Sequence, residues 1–280
     1  MGIVGPGRAG IALAVALRRA GLRVLGLHGR RARHLPAGLR LSTGPVVPWL
    51  GRASVVILAV RDDAVAETAA ALARDPARLR GRVFLHLSGA LTSAALAPLR
   101  RRGACIGGMH PLMTVSADPR SAPAALRGAT FALEGDPAAV RAARPLVRTL
   151  GGVSVIVPPR ARARYHAGAV FASNYVVVLI AEAERLLASA GFSRTGARAA
   201  LAPLARAALQ NAAALGPEAA LTGPLARGDA ATVRRHLAAL PAETRALYRA
   251  LAAATVRLAR RAGGPRKALR AVEAVLRAGR

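Results

Sequence analysis

An α/β fold, in which a doubly wound parallel sheet precedes an all-helical C-terminal region, is what this sequence predicts. Three observations carry the expectation. Short, continuous apolar runs alternate with amphipathic stretches up to residue 157. A glycine-rich turn joins the first run to the first amphipathic stretch. After Pro158-Pro159 no further strand series follows. Strands buried on both faces read as unbroken apolar runs, and their alternation with helices over short connections favours parallel pairing.

In order, the expected strands are 3–4, 22–28, 54–60, 83–87, 104–106, 130–133 and 153–157. Amphipathic stretches lie between them at 11–20, stopped by Gly21, and at 64–73. The clearest helix runs from a cap at Asp136 and a first-turn Pro137 to Leu150, closed by Gly151-Gly152. Helices are then expected at 162–190, 197–215, 230–240, 242–262 and 265–278, with Gly191, Gly216-Pro217, Pro241 and Gly263-Gly264-Pro265 as punctuation. The β-branched run at 176–180 suits a strand. Because no glycine or proline falls between Gly168 and Gly191, a buried helix is favoured there. The expected domains are 1–158 and 159–280.

Composition narrows the classes. A chain of 280 residues fits two domains, and 53% hydrophobic content excludes disorder throughout. With 3% aromatic residues, Ala, Leu and Val must fill the core. Lys and Arg total 42 against 13 acids, a net charge of +29, and Lys267 is the single lysine. Arginine together with abundant alanine is what a GC-rich coding bias gives, although so positive a surface still draws anions. One cysteine, Cys105, excludes an internal disulfide or a cysteine zinc site. The histidines show no ligand spacing, so no metal is expected. The sequence opens directly on a strand, without room for a signal peptide, and the apolar run at 176–181 is too short for a bilayer. A soluble cytoplasmic protein is expected, with no membrane partner.

Gly5-Pro6-Gly7-Arg8-Ala9-Gly10 matches G-x-G-x-x-G in the required place, after a strand and at the start of a helix. The first glycine permits the tight turn, the second lets backbone approach a diphosphate, and the third allows close helix–strand packing. A helix N-terminus adds unpaired N–H groups and partial positive charge. Beyond the second strand, where an acid would bond a ribose 2′-hydroxyl, stand Arg30 and Arg31. Arginine pairs with a 2′-phosphate through two N–H bonds, so NADP is expected over NAD.

Further segments extend the pattern along the chain: Ala59-Val60-Arg61-Asp62-Asp63, His86-Leu87-Ser88-Gly89-Ala90, His110-Pro111-Leu112, Tyr165-His166 with Ser173-Asn174-Tyr175, and 221–229. With the glycine turn, they make the sequence resemble a Rossmann-like oxidoreductase family whose C-terminal half is a helical domain of unknown function. Its broader relatives are the 6-phosphogluconate dehydrogenase-like enzymes, including pyrroline-5-carboxylate reductase and prephenate dehydrogenase. Arg61 and Met113 depart from the residues usual in that family, proline and glutamine. The resemblance implies a dimer through the helical domain.

The candidate groups lie at strand ends, where open parallel sheets bind ligands. Val60 and Asp62 end the third strand and would line the cofactor, although an acid there also suits a helix cap. Ser88 and Gly89 lie at the mouth of the fourth, behind a core His86. His110 follows two glycines that permit close backbone approach; a histidine there donates a proton or binds a carboxylate. His166 and Asn174 share a helix face at positions 166, 170, 173 and 174. Related hydroxyacid dehydrogenases use a lysine and an asparagine on that helix, but Val170 stands at the lysine's place, which leaves His166 as the substitute acid. Thr222 and Arg227 sit in a glycine- and proline-rich turn before an Asp229 cap and suit an anionic substrate.

The expected function is hydride transfer between NADP and a C=O or C=N carbon of a small carboxylate-bearing substrate. Here His110 or His166 supplies the proton, Asn174 and Ser88 orient the reacting group, and Thr222 and Arg227 hold the anion. The alternative is a non-catalytic NADP-binding sensor or scaffold. Specific nucleic-acid binding is disfavoured, because the arginines are spread along the chain without stacking aromatics.

Overall fold

The structure is a computed structural model that describes residues 1–32, 34–114, 118 and 121–278. Two compact units divide it, Met1–Asn174 and Tyr175–Arg280.

The first unit is built on one eight-stranded sheet of order β3-β2-β1-β4-β5-β6-β7-β8. Its elements are β1 (Gly2–Val4), α1 (Arg8–Arg19), β2 (Leu27–His28), β3 (Leu41–Ser42), β4 (Val55–Leu58), α2 (Asp62–Arg74) and β5 (Val83–His86). After these come α3 (Ala97–Arg101), β6 (Cys105–Pro111), α4 (Ala122–Leu126), β7 (Thr130–Gly135), α5 (Pro137–Thr149), β8 (Val153–Ile156) and α6 (Arg162–Ala172). The strand order reverses between β1 and β4, the switch point at which such sheets open a crevice. Burial on both faces explains the continuous apolar runs. In β4, Val55 and Ile57 face a cluster with Leu13 and Leu17 of α1, while Val56 and Leu58 face one with Val65 and Leu72 of α2.

Three features differ from the sequence expectation. Only Leu27–His28 of the expected 22–28 is strand, and β3 pairs beside it at Leu41–Ser42; two-residue strands carry no periodicity to read. β7 runs antiparallel to β6, with His110 opposite Ala132, whereas the other pairings are parallel. Asp136 stands at the N-cap of α5 but does not cap it by its side chain, which instead pairs with Arg100 at 2.6 Å and accepts from Ile106 N–H at 2.9 Å.

The second unit is helical: α7 (Asn174–Ser189, whose first residue closes the first unit), α8 (Arg194–Leu215), α9 (Pro217–Ala220), α10 (Pro224–Arg227), α11 (Ala230–Ala239), α12 (Ala242–Arg261) and α13 (Arg266–Arg277). Val233, Leu237, Val256, Leu269 and Val272 form its core. The helix expected over 162–190 is broken at Ser173 (φ −127°, ψ −72°). Its hydroxyl donates to Ala169 C=O at 2.7 Å, the back-bonding by which serine bends helices. By packing, α6 stays with the sheet, anchored by the buried Arg162, and the two compact units divide at 174/175.

The apolar run at 176–181, expected to be too short for a bilayer, lies within a longer helical stretch. Counted across Ser173, the helical stretch Pro159–Ser189 has 31 residues, and an 18-residue window within it reaches a mean hydropathy of 1.3, long and apolar enough to cross a membrane by length and composition only. The helix expected to be buried at 174–189 carries no buried residue in this chain, with Val177 at 69% exposure.

Candidate active site

The glycine turn is shaped as its residue types require. Gly5 holds φ +105°, a conformation costly to any side chain, and its N–H donates to His28 C=O at 2.8 Å. A Cβ on Gly10 would lie 2.0 Å from Gly5 C=O and 3.1 Å from the Ala59 methyl, so α1 and β4 pack at backbone distance only with glycine there. Gly7 differs: a Cβ there would meet nothing within 4 Å. It also stands at the N-cap of α1, where no side chain caps the first-turn N–H groups. This open, uncapped, positively polarised cradle fits a diphosphate. Pro6, Arg8 and Ala9 complete the turn, with Arg8 exposed. Arg30 and Arg31 follow β2 and are exposed. Val60 packs its Cγ1 beside Gly5, 2.9 Å from where a Cβ there would sit.

Asp62 begins α2 and receives the Ser88 hydroxyl at 2.8 Å, tying the end of β4 to the end of β5. Neighbouring Asp63 pairs instead with Arg61 on the surface. Ser88 Oγ also accepts from Ala90 and Leu91 N–H at 3.2 and 3.0 Å. The hydroxyl proposed to orient a reacting group is thus committed to shaping its own loop, and is buried.

Behind this loop, His86 is fully buried, as expected of a core histidine, with Nε2 3.7 Å from Glu134. That is beyond hydrogen-bond length. Ser93 donates to the other Glu134 oxygen at 3.0 Å. Burial alone would raise the Glu134 carboxyl; His86, Ser93 and Arg162 together hold it below its ordinary range.

His110 and His166 come together. Their ring centres are 6.0 Å apart and nearly perpendicular. A Cβ on Gly89 would lie 2.5 Å from His166 Nδ1 and 2.9 Å from His110 Nε2, so Gly89 leaves the space in which both nitrogens converge. His110 Nδ1 lies 2.7 Å from the Tyr165 hydroxyl. Desolvation, then Arg162 and His166, lower the His110 pKa to about 4 against the pull of Asp62. His110 is therefore neutral at physiological pH.

Two residues of this cluster were not among the expected site residues. Tyr165 was legible only as the neighbour of His166. Arg162 had no signal at all, in a chain where arginine is everywhere. It is 1% exposed; Nε donates to Leu91 C=O at 3.2 Å, Nη2 donates to Ser88 C=O, and Nη1 is buried without a hydrogen-bond partner. Asn174 is not drawn into the cluster by any bond in hand: it is exposed, its amide oxygen 3.0 Å from the Ser173 hydroxyl.

In the second unit, Thr222 and Arg227 are exposed on the short turn around α10. Gly223 (φ +93°) and Gly228 (φ +76°) supply its left-handed positions, and Asp229 caps α11 by accepting Thr232 N–H at 2.9 Å, as expected. His236 pairs with the Tyr248 hydroxyl at 2.9 Å.

The first unit has the strand order and the glycine cradle of a dinucleotide-binding domain of the Rossmann class, with the cradle beside the point at which the strand order reverses. Residues 1–111 match the model of the Rossmann-like domain, and residues 129–255 match a domain of unknown function, DUF2520. The chain therefore carries a Rossmann-like domain followed by a DUF2520 domain, the pairing of a Rossmann-like half with a helical domain of unknown function that its sequence resemblance implied.

Similar solved structures agree on the fold. A candidate NADP oxidoreductase from Bacteroides fragilis is 20% identical with a TM-score of 0.72, covering 91% of this chain and 96% of that one. A reductive aminase from Aspergillus terreus in complex with NADPH and ethyl-5-oxohexanoate is 20% identical, TM-score 0.59, covering 100% and 94%. Pyrroline carboxylate reductase from Plasmodium falciparum with NADP bound is 12% identical, TM-score 0.58, covering 97% of each chain. No curated protein sequence matches the chain.

Proposed function

We propose that the protein is an NADP-dependent oxidoreductase that reduces a C=O or C=N carbon of a small carboxylate-bearing substrate. The observation that carries the reading is the Gly7 cradle: open, uncapped and at the switch point, with Arg30 and Arg31 beyond β2. In support, NADP or NADPH is bound in the pyrroline carboxylate reductase and the reductive aminase of like fold. When bound, the cofactor supplies the hydride. Of this chain's own groups, the first-turn N–H groups of α1 would hold the diphosphate and Arg30 and Arg31 the 2′-phosphate. The Ser88–Gly89 loop and Val60 would bound the pocket, and His110 with His166 would handle the proton. Asn174, Thr222 and Arg227 remain the proposed substrate contacts.

Steady-state oxidation of NADPH against a panel of keto acids and cyclic imines tests the reading. Turnover on a panel member is the expected result. Tight NADPH binding without turnover on any of them would replace it with the sensor or scaffold alternative. The arginines make a separate prediction: Arg30→Ala with Arg31→Ala weakens NADPH about 10- to 100-fold and leaves NADH nearly unchanged, since two charge-assisted bonds to the 2′-phosphate go. Equal losses for both coenzymes would remove these arginines from that role.

The reading includes a soluble homodimer joined through the helical unit. Val177, Val178, Leu204, Leu209 and Leu215 on α7 and α8 are at least half exposed, more large apolar side chains than solvated helices ordinarily keep bare. Glu182, Glu184 and Arg185 on α7 favour a second copy over lipid. Val177→Asp combined with Leu204→Asp is expected to convert the dimer to a monomer in sedimentation velocity. An unchanged mass, or wild-type protein partitioning onto phosphatidylcholine vesicles, would overturn this assignment.

A further inference from the structure

The reduction needs a proton, and the geometry of the first unit points to a source other than the two histidines. His110 is faced by Asp62 from α2, by His86 from β5, and by Arg162, Tyr165 and His166 from α6, with Glu134 of β7 coupled to this set through His86 and Arg162. Its two ring nitrogens have different partners: Nδ1 meets the Tyr165 hydroxyl at 2.7 Å, and Nε2 is turned to the space above Gly89 that it shares with His166 Nδ1. The Arg162 guanidinium lies 5.7 Å from the centre of the Tyr165 ring. Two of its nitrogens are fixed by carbonyls of the 88–91 loop, and Nη1 is left buried without a partner.

We propose that Tyr165 is the proton source for the reduction, passing its proton through His110, and that buried Arg162 is the positioning residue that stabilises the tyrosinate left behind. The proposal rests on the reductase reading above. As hydride reaches the substrate carbon, the substrate oxygen or nitrogen takes the proton on His110 Nε2, and His110 Nδ1 takes the Tyr165 hydroxyl proton. The imidazole begins and ends neutral. After product leaves, the phenolate, one negative charge beside one guanidinium, takes the proton back from His110 Nδ1, and Nε2, which faces the open space, takes one proton from solvent, so that both groups return to their starting state. The sum is one hydride and one proton added across C=O or C=N.

The charges around the ring require this order of events. Burial with the Arg162 guanidinium nearby makes an imidazolium at position 110 costly, so that ring serves as a conduit rather than as a stored acid. When the tyrosine donates to Nδ1, the neutral ring carries its hydrogen on Nε2, the nitrogen turned to the open space. Burial raises the Tyr165 pKa while Arg162 works against that rise. The phenol thus stays protonated at physiological pH, and its anion has a countercharge ready.

Nitrogen-15 NMR of the imidazoles in the cofactor-free full chain, with pH–rate profiles of the enzyme, tests the proposal. Wild type is expected to show a neutral Nε2–H tautomer of His110 that titrates near 4, and a kcat level from about pH 5 until tyrosine ionisation. Tyr165→Phe is expected to abolish the tautomer preference and lower kcat about 100-fold or more with KM little changed, the scale of a lost general acid. Arg162→Lys is expected to raise the His110 pKa less than Arg162→Met does. If Arg162→Met does not fold, Tyr165→Phe carries the test, because it leaves the buried guanidinium in place. A His110 tautomer indifferent to Tyr165, or kcat unchanged in Tyr165→Phe, overturns the relay in an active enzyme. Absence of turnover in wild type removes the reductase reading itself.

Discussion

Gly10→Ala is expected to destabilise the first unit by about 3 kcal/mol and to abolish NADPH binding, whereas Gly7→Ala leaves the melting temperature unchanged and weakens NADPH about 100-fold. The contrast follows from what each new methyl meets. At Gly10 it would lie 2.0 Å from the Gly5 carbonyl, a backbone atom that moves only if the turn opens. Overpacking of this kind costs roughly 1–3 kcal/mol, and more where backbone is the obstacle. At Gly7 the φ of −79° suits any residue and the methyl meets no protein atom, so the fold is indifferent. The methyl would instead occupy the cradle over the helix N-terminus. Displacing a diphosphate from two charge-assisted N–H bonds, each worth about 1.5 kcal/mol, gives about two orders of magnitude in Kd. Thermal unfolding and titration calorimetry read the two effects separately. A Gly7→Ala protein that binds NADPH as tightly as wild type would show that the diphosphate lies elsewhere.

The second large effect is on acid stability. His110 has a folded pKa of about 4 against an ordinary 6.5. Between those values the unfolded chain binds the proton and the folded chain does not. The contribution from neutral His110 is therefore complete above pH 6.5, and it is lost as pH falls toward 4. At 1.36 kcal/mol per unit the difference amounts to about 3 kcal/mol at most. Chemical denaturation at pH 7 and pH 4 is expected to show His110→Gln losing about 2 kcal/mol less than wild type over that interval, whatever the variant's stability at pH 7. An equal loss in both proteins would mean that His110 ionises in the folded state as it does in the open chain.

Much of the first unit was legible from residue order alone. The glycine turn, most of the apolar strands of the doubly wound sheet and the helix after Pro137 each follow from patterns within about 15 residues and appear where the pattern places them, the second strand excepted. The polar strand ends at 60–63, 88–89 and 110 also lie on one edge of the sheet. What failed was of another kind. β3 is too short to leave a period. Antiparallel β7 is a choice of partner direction rather than of strand, and the same apolar run serves either. Asp136 has the residue type of a cap but found better donors in Arg100 and Ile106, 36 and 30 residues away. The break at Ser173 turned on a single side-chain bond to Ala169.

Sequence by itself determined the cradle at Gly5–Gly10, the α/β-then-helical plan and the side of the sheet on which chemistry is done, because these rest on steric limits and periodicities that neighbouring residues enforce. Only the tertiary structure decided that one arginine among many is buried, and that it holds the Ser88 carbonyl 74 positions earlier in the chain. It likewise set Tyr165 against His110, 55 positions apart, in a pocket dry enough to keep that imidazole neutral. Desolvation and charge pairing depend on which groups meet across such separations, and no local pattern encodes that.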